Sequence, residues 1–482
     1  MSRNSFRLAV SLLLLVSLLL TACGPAATEA PPEAPEALPE ATEVPPEEPE
    51  APPAEKVVVQ IFVGVGTGTS PEQIEQEEML SDEFNATHDD IEIEWLIVPY
   101  EESRDRYLAM LAGGTPPGLV GPAGVETHAE FLDTWADITP FIEAEKYDLS
   151  DFYGPTVELT QYPDKNIGLP LGVYPSLIFY NKDLFDAAGV DYPTHDYADK
   201  SWDLDALRAM GMKLTLDANG NDATSPDFDP DTVMQWGFDD SWANPRAILA
   251  TFGAPNGGRP TDDTYMTAVA NSEEWVQGLQ WFSDGIWVDH FIPDYAGQDI
   301  FYAVAGDPFG GGVLAMHMSH TWMFGEGINK ELPFEYDFAP VPYNFAGAKV
   351  CRIHADNFLI PEDFEHKEAS WEVMKWLAAP ERISDVCLIY GCIPARESVA
   401  EEYAEMLAET QPGTDLDVIF EAIDYLDKPH HEEWVPQFAR INEELGVVID
   451  LIFTGENADA QSVLDEANAN IQKLLDEYWE SQ

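Results

Sequence analysis

The stretch Gly64-Val-Gly66-Thr67-Gly68-Thr69 follows a β-branched run and precedes a helix start. In that arrangement backbone N–H groups and a helix dipole can hold a phosphate. A dinucleotide fingerprint needs glycine at its sixth place, where this chain has Thr69, and no G-x-x-x-x-G-K-[ST] occurs. The glycines then answer to turn geometry. Asp217, Asn219 and Asn221 have calcium-loop spacing, but Asp222 replaces the glycine and Phe228 the final glutamate, so a polar turn is expected. His317 and His320 fall on a strand pattern, where residues three apart face opposite sides; no metal is expected. G-x-S-x-G is absent, and with 89 acidic residues carboxylate pairs of glycosidase type could be drawn anywhere. No catalytic residue and no cofactor are expected.

The elements that position any site begin after a leader. Arg3 and Arg7 precede an apolar run, Leu8 to Leu20, and then Leu20-Thr21-Ala22-Cys23. The run is shorter than the roughly 20 residues of a membrane span, so residues 1–22 read as a signal peptide. Its tail resembles a bacterial lipobox. That likeness implies cleavage before Cys23, acylation of Cys23 and tethering to the outer face of the cell membrane; a plain secretory peptide with an incidental cysteine is the alternative. Gly24 to Lys56 holds ten prolines and nine glutamates without one aromatic. Such a segment builds no core and reads as an extended spacer, so residues 23–56 are lipidated cysteine plus spacer.

From Val57 onward the chain is aromatic-rich and regularly patterned, long enough for two lobes. Its formal charge of −66 disfavours nucleic acid as a partner. Solubility in a salty or acidic habitat explains that charge more simply than a cationic ligand. Cys351, Cys387 and Cys392 allow one disulfide and leave one thiol over. Strand and helix signals alternate: "KVVVQIFV", a capping box at Ser70 with Gln73, "IEIEWLIV", a helix stopped at Gly113-Gly114, "GLVGP". That order predicts an α/β fold with a parallel sheet between helices and ligands at the carboxyl ends of the strands.

Six blocks in order carry a resemblance: "GLPLGVYPSLIFYNKDLFDAAGVDYP", "SWDLDALRAMGMKLT", "GGGVLAMHMSHTW", "YDFAPVPYN", "EASWEVMKWLAAPE" and "GCIPARESV". Together they resemble the extracellular solute-binding proteins of ABC importers, in the carbohydrate-binding group that includes maltose-binding protein. The resemblance covers nearly all of residues 57–482. It implies a two-lobe, Venus-flytrap fold with three crossing segments, lobe 1 being 57–172 and 345–394 and lobe 2 being 173–344 and 395–482. It also implies a monomer that captures a sugar or oligosaccharide and passes it to ABC permease subunits. An exported hydrolase, or the same fold with a polyol phosphate or peptide, is the alternative.

A sugar offers C–H faces and a rim of hydroxyls, so its site needs aromatic platforms beside planar or charged hydrogen-bond partners. By the resemblance Trp322 stacks on the ligand and Tyr174 points into the cleft from the first crossing; Trp242 is a further platform. Gly64, Gly66 and Thr67, with Glu126, Asp356 and Asn357, stand at strand ends as polar contacts, and Arg396 reaches in from the third crossing. For Glu126 a solvated charge is the alternative, for Arg396 a salt bridge, and for the aromatic residues core packing.

Overall fold

The computed structural model describes residues 56–162, 165–240, 245–254, 257–305, 309–328, 332–428 and 430–482. The leader, Cys23, the spacer and Trp242 lie outside the described residues. No helix among the described residues is long and apolar enough to cross a membrane.

Val57-Val-Val-Gln-Ile-Phe-Val is stiff at χ1 through its β-branched residues and forms β1 (Val57–Val63), whose Val59, Ile61, Phe62 and Val63 are fully buried. It pairs in parallel with β2 (Ile91–Ile97) and β3 (Leu119–Ala123). Parallel neighbours need a crossover. Helix Pro71–Thr87 joins β1 to β2 and helix Tyr100–Ala112 joins β2 to β3. The first of these starts as the sequence predicts: Ser70 accepts from Gln73 N–H and Gln73 accepts from Ser70 N–H. Gly113 caps the second.

β4 (Gly168–Asn181) is fourteen residues long and buried throughout. Further along the chain come β5 (Met316–His320), β6 (Tyr336–Ala339), β7 (Ile353–Leu359) and the short β8 (Ile393–Pro394). The first half of β4 pairs antiparallel with β7, Gly168 opposite Leu359 through Pro175 opposite Ile353, and β8 lies on its other edge at Gly172 and Val173. β7 also pairs antiparallel with β3, so β1, β2, β3 and the first half of β4 run in one direction. From Ser176 onward β4 changes partners, taking β5 on one side and β6 on the other. One strand thus belongs to two sets of neighbours, with the change at Pro175-Ser176.

Pro170 sits opposite Asn357 and Gly172 opposite Asp356, so Leu171 is an extra residue on β4. Proline cannot donate to a ladder, and a bulge beside it is the usual accommodation. Gly172 is required there, because a Cβ would lie 2.5 Å from Cys392 Sγ.

Helices cover the sheet. Helix Glu273–Trp287 is capped by Ser272. Helices Phe438–Thr454 and Ala460–Ser481 close the chain. Cys387 and Cys392 are bridged around the turn at Gly391, and Cys351 is a buried free thiol. The calcium-like loop is a polar turn: Asp217 accepts the N–H groups of Asn219, Asn221 and Asp229 and the Asn221 amide.

Glu77, on helix Pro71–Thr87, is buried, and Tyr390 Oη donates to its Oε1 at 2.9 Å. Burial raises its carboxyl to about 8, partly offset by that hydrogen bond. The native state then holds a proton that the unfolded chain releases near 4.5, so this site's contribution to stability is full below that pH and is lost as pH rises to about 8. Glu77→Gln is therefore expected to flatten the fall in stability between pH 5 and pH 8 and to gain about 1 kcal/mol or more at pH 8. Chemical denaturation across that range checks it; a slope unchanged from wild type would show Glu77 to be ionised in the fold.

Candidate ligand site

Four of the expected residues converge at the end of β1 and around the bulge of β4 against β7. Tyr174, on β4, is fully buried and its hydroxyl donates to Asp356 Oδ2 at 3.3 Å. A Cβ at Gly66 would lie 3.5 Å from Asp356 Oδ2 and one at Gly124 3.2 Å from Oδ1, so two glycines flank the carboxylate. Thr67 Oγ1 is buried beside the Tyr174 hydroxyl. Burial lifts the Asp356 carboxyl to about 7 against the opposing pull of His354. Burial likewise raises the Tyr174 phenol.

Trp322 follows β5 by two residues. Its ring stacks on His320 (centroids 4.0 Å), meets His354 edge-on at 4.9 Å and tilts against Tyr174 at 5.9 Å. Glu126 opens helix Val125–Glu130, half-buried, 3.7 Å from Arg104 Nη2. Burial, and then the negative charge of Glu432, push its carboxyl up to about 7.

Three expected residues lie apart. Gly64 is needed for backbone approach: at φ +136° its missing Cβ would stand 2.1 Å from Val98 O. Asn357 follows Asp356 on a strand and points elsewhere; its Nδ2 lies 2.0 Å from where a Gly168 Cβ would be. Arg396 is engaged in structural contacts, donating to Ala378 O (2.7 Å), Asp151 Oδ2 (2.9 Å) and Tyr147 Oη (2.7 Å) over the Phe152 ring.

Beside this group the structure holds side chains that the sequence reading did not select. His354 and Asp356 share one face of β7 by strand alternation, a signal the sequence carried. His431 and Glu432 come from the run His430-His431-Glu432-Glu433-Trp434. Glu432 lies 3.4 Å from His354 Nδ1 and 3.8 Å from His431 Nε2. Burial opposes ionisation of Glu432, but His354, His431 and His430 together outweigh it and hold the carboxyl low. Burial likewise depresses His354, and Glu432 reverses this to raise it. Burial depresses His320 strongly.

A cavity of about 430 Å³ opens next to this cluster, lined by Tyr162, Tyr265, Trp434, Glu158, Glu433 and His430 among others. Its volume falls in the range of small-molecule sites, about 300–1,000 Å³, and its rings and carboxylates suit a ligand with both C–H and hydroxyl surface.

Solved structures share the fold. An ABC substrate-binding protein from Listeria monocytogenes, in complex with cycloalternan, is 20% identical with a TM-score of 0.71, covering 87% of this chain and 99% of that one. The GacH receptor of Streptomyces glaucescens, studied unliganded and with acarbose, is 17% identical with a TM-score of 0.67 over 88% of this chain and 100% of its own. Maltose-bound MalE3 of Thermotoga maritima is 17% identical with a TM-score of 0.65, covering 87% and 100%. The fold is thus the two-lobe binding-protein fold, each lobe an α/β sheet flanked by helices. No curated protein sequence matches the chain. The profile of the bacterial extracellular solute-binding proteins matches residues 79–411, more than half of the chain, and the chain belongs to that family. It is a solute-binding protein that works outside the cytoplasm.

Arg396→Ala removes the hydrogen bonds to Ala378 O, Asp151 and Tyr147, leaving Asp151 with Ser398 alone. The expected result is a loss of roughly 1–3 kcal/mol of stability with ligand affinity unchanged. Parallel melting and binding titrations check this; a tenfold weaker affinity at unchanged stability would return Arg396 to the ligand site.

Proposed function

We propose that this chain is a membrane-tethered receptor that captures a sugar or oligosaccharide between two lobes and delivers it to ABC permease subunits. The observation that carries the reading is the cavity lined by Tyr162, Tyr265 and Trp434 with Glu158 and Glu433. If the chain is divided into lobe 1 (57–172 and 345–394) and lobe 2 (173–344 and 395–482), that cavity draws Tyr162 and Glu158 from one lobe and Tyr265, Glu433 and Trp434 from the other. A ligand that touches both lobes binds the closed form better than the open one, and only such differential affinity can drive closure. The change of partners along β4 at Pro175-Ser176 supports that division, since a strand shared by two sheets can act as a crossing segment.

The bound sugars named for the similar structures, cycloalternan, maltose and acarbose, support a carbohydrate ligand here as well. Trp322, Tyr174, Asp356, Gly66, Thr67 and Glu126 form the deeper wall of the site. The receptor acts as a monomer, needs no cofactor for capture, and leaves its ligand chemically unchanged. Acylated Cys23 anchors it in the lipid bilayer, and the proline- and glutamate-rich spacer carries the folded body off the surface.

A thermal-shift panel of maltose, mannobiose, larger linear and cyclic oligosaccharides, a polyol phosphate and peptides tests the reading. At least one carbohydrate is expected to raise the melting temperature and to be recovered intact. Stabilisation by a non-carbohydrate alone, or release of a hydrolysis product, would sink the assignment. Trp322→Ala is expected to weaken the best sugar at least tenfold while the circular dichroism spectrum is retained; an unchanged dissociation constant would remove Trp322 from the site. For the anchor, Cys23→Ser in the full precursor is expected to move the protein from the membrane fraction to the medium or periplasm. Undiminished membrane association would point to a different tether.

A further inference from the structure

His354, His431 and Glu432 meet beside Trp322, and one donor atom from each lies within 4.8 Å of the other two. The approaches are 3.4 Å, His354 Nδ1 to Glu432 Oε2, and 3.8 Å, His431 Nε2 to Glu432 Oε1. Charge-assisted N–H···O bonds close to about 2.7–2.9 Å. Zinc with bonds of about 2.0–2.1 Å to nitrogen and oxygen, arranged tetrahedrally, holds neighbouring donors roughly 3.4 Å apart. The two approaches fall on the two oxygens of the Glu432 carboxylate, both are longer than a charge-assisted hydrogen bond, and one donor atom from each of the three residues lies within 4.8 Å of the others, a separation that one ion between them can bridge.

The orientation of His431 agrees. Its Nδ1 donates to Asp427 Oδ2 at 2.6 Å, which fixes the proton on Nδ1 and leaves the Nε2 lone pair facing Glu432. His431 is fully buried and Nε2 has no hydrogen-bond partner. Asp427 is itself held by the backbone N–H groups of Ile353 and His431. A carboxylate that orients a histidine whose other nitrogen binds a metal is the recurrent outer-shell arrangement. His430 is not a ligand: its Nδ1 accepts from Glu432 N–H and its Nε2 donates to Ile353 O. Both ring nitrogens of buried His320 lack partners, and its ring stands 4.6 Å from that of His354. Buried Arg352 is matched by the two oxygens of Asp240 at 2.9 and 3.0 Å, and Arg246, also buried on this side, donates to the backbone carbonyls of Gly258 and Glu433. The His354 side chain is 19% exposed, which provides a path of entry.

We propose that His354, His431 and Glu432 bind a divalent cation of the zinc class, that Asp427 positions His431, and that the remaining coordination place accepts water or an oxygen of the captured solute. Spacing in the chain gives little hint of this, because His354 stands 77 residues before His431 and the pair His317 and His320 supplies no ligand. The site stands independently of the carbohydrate reading.

The full mature chain, stripped with a chelator, is titrated with zinc chloride in competition with a chromophoric chelator and without sugar. One zinc per chain is expected. Glu432→Gln and His431→Ala should each weaken affinity at least tenfold, and Asp427→Asn about 10- to 100-fold. Zinc-edge X-ray absorption of the loaded wild type should show nitrogen and oxygen neighbours at about 2.0–2.1 Å with imidazole scattering. Failure of the wild type to take up zinc, a shell without imidazole, or undiminished affinity in His431→Ala would overturn the site. Should a variant fail to fold by circular dichroism, uptake and the absorption spectrum of the wild type decide. Sugar-induced stabilisation of the stripped chain reports on the carbohydrate reading alone, so the two can fail separately.

Discussion

Everything in this fold is referred to β4, the fourteen-residue strand buried along its whole length. A strand covered on both faces and paired on both edges must be apolar throughout, and Gly168-Leu-Pro-Leu-Gly-Val-Tyr-Pro-Ser-Leu-Ile-Phe-Tyr-Asn is nearly so. Its exceptions carry the architecture. Pro170 cannot donate to β7, so the ladder slips by one residue there and Leu171 is left over. Pro175 marks the last pair with β7, and Ser176 the first with β5. Two sets of neighbours that share one covalent strand cannot drift apart, and in the proposed receptor that strand is the segment about which closure would turn.

The bulge also sets the site. With two residues of β4 facing one step of β7, Asp356 is placed opposite Gly172 and reached by the Tyr174 hydroxyl, while glycines at 66 and 124 leave room on either side. Larger residues at those glycines would meet the carboxylate or, at Gly66, the carbonyl of Pro122 at 2.5 Å. The glycine loop that first suggests a phosphate cradle is thus shaped around a carboxylate, which would repel one.

Local signals in the chain were read faithfully. The Ser70–Gln73 cap, the stop at Gly113 and the strand-helix alternation depend on neighbours within a few residues, and the structure has each of them. Two expected residues stand apart from the group around Asp356. Arg396 lies near a crossing in the sequence, but its partner Asp151 is 245 residues away. Asn357 was grouped with Asp356 although strand alternation already sets them on opposite faces. The His354, His431 and Glu432 group is less legible still: His354 stands 77 residues before His431, and only the packing of the segment at Cys351–Ile353 against residues 426–432 brings them together.

Buried polar atoms without partners are costly, about 1–3 kcal/mol for each group left unsatisfied. In a chain with 89 acidic and 23 basic residues, the cheap place for charge is the surface. Here Asp356, Asp427, Glu432 and the histidines 320 and 431 are nevertheless buried in one region. Asp427 accounts for itself through the backbone N–H groups that it accepts, and Asp240 through Arg352. Both ring nitrogens of His320 and the Nε2 of His431 have no such account within the protein. A fold retains groups of this kind where something bound satisfies them. Their clustering near Trp322, next to a cavity walled by aromatic rings, is what the proposed capture of a solute there accounts for, and the stability of the scaffold does not.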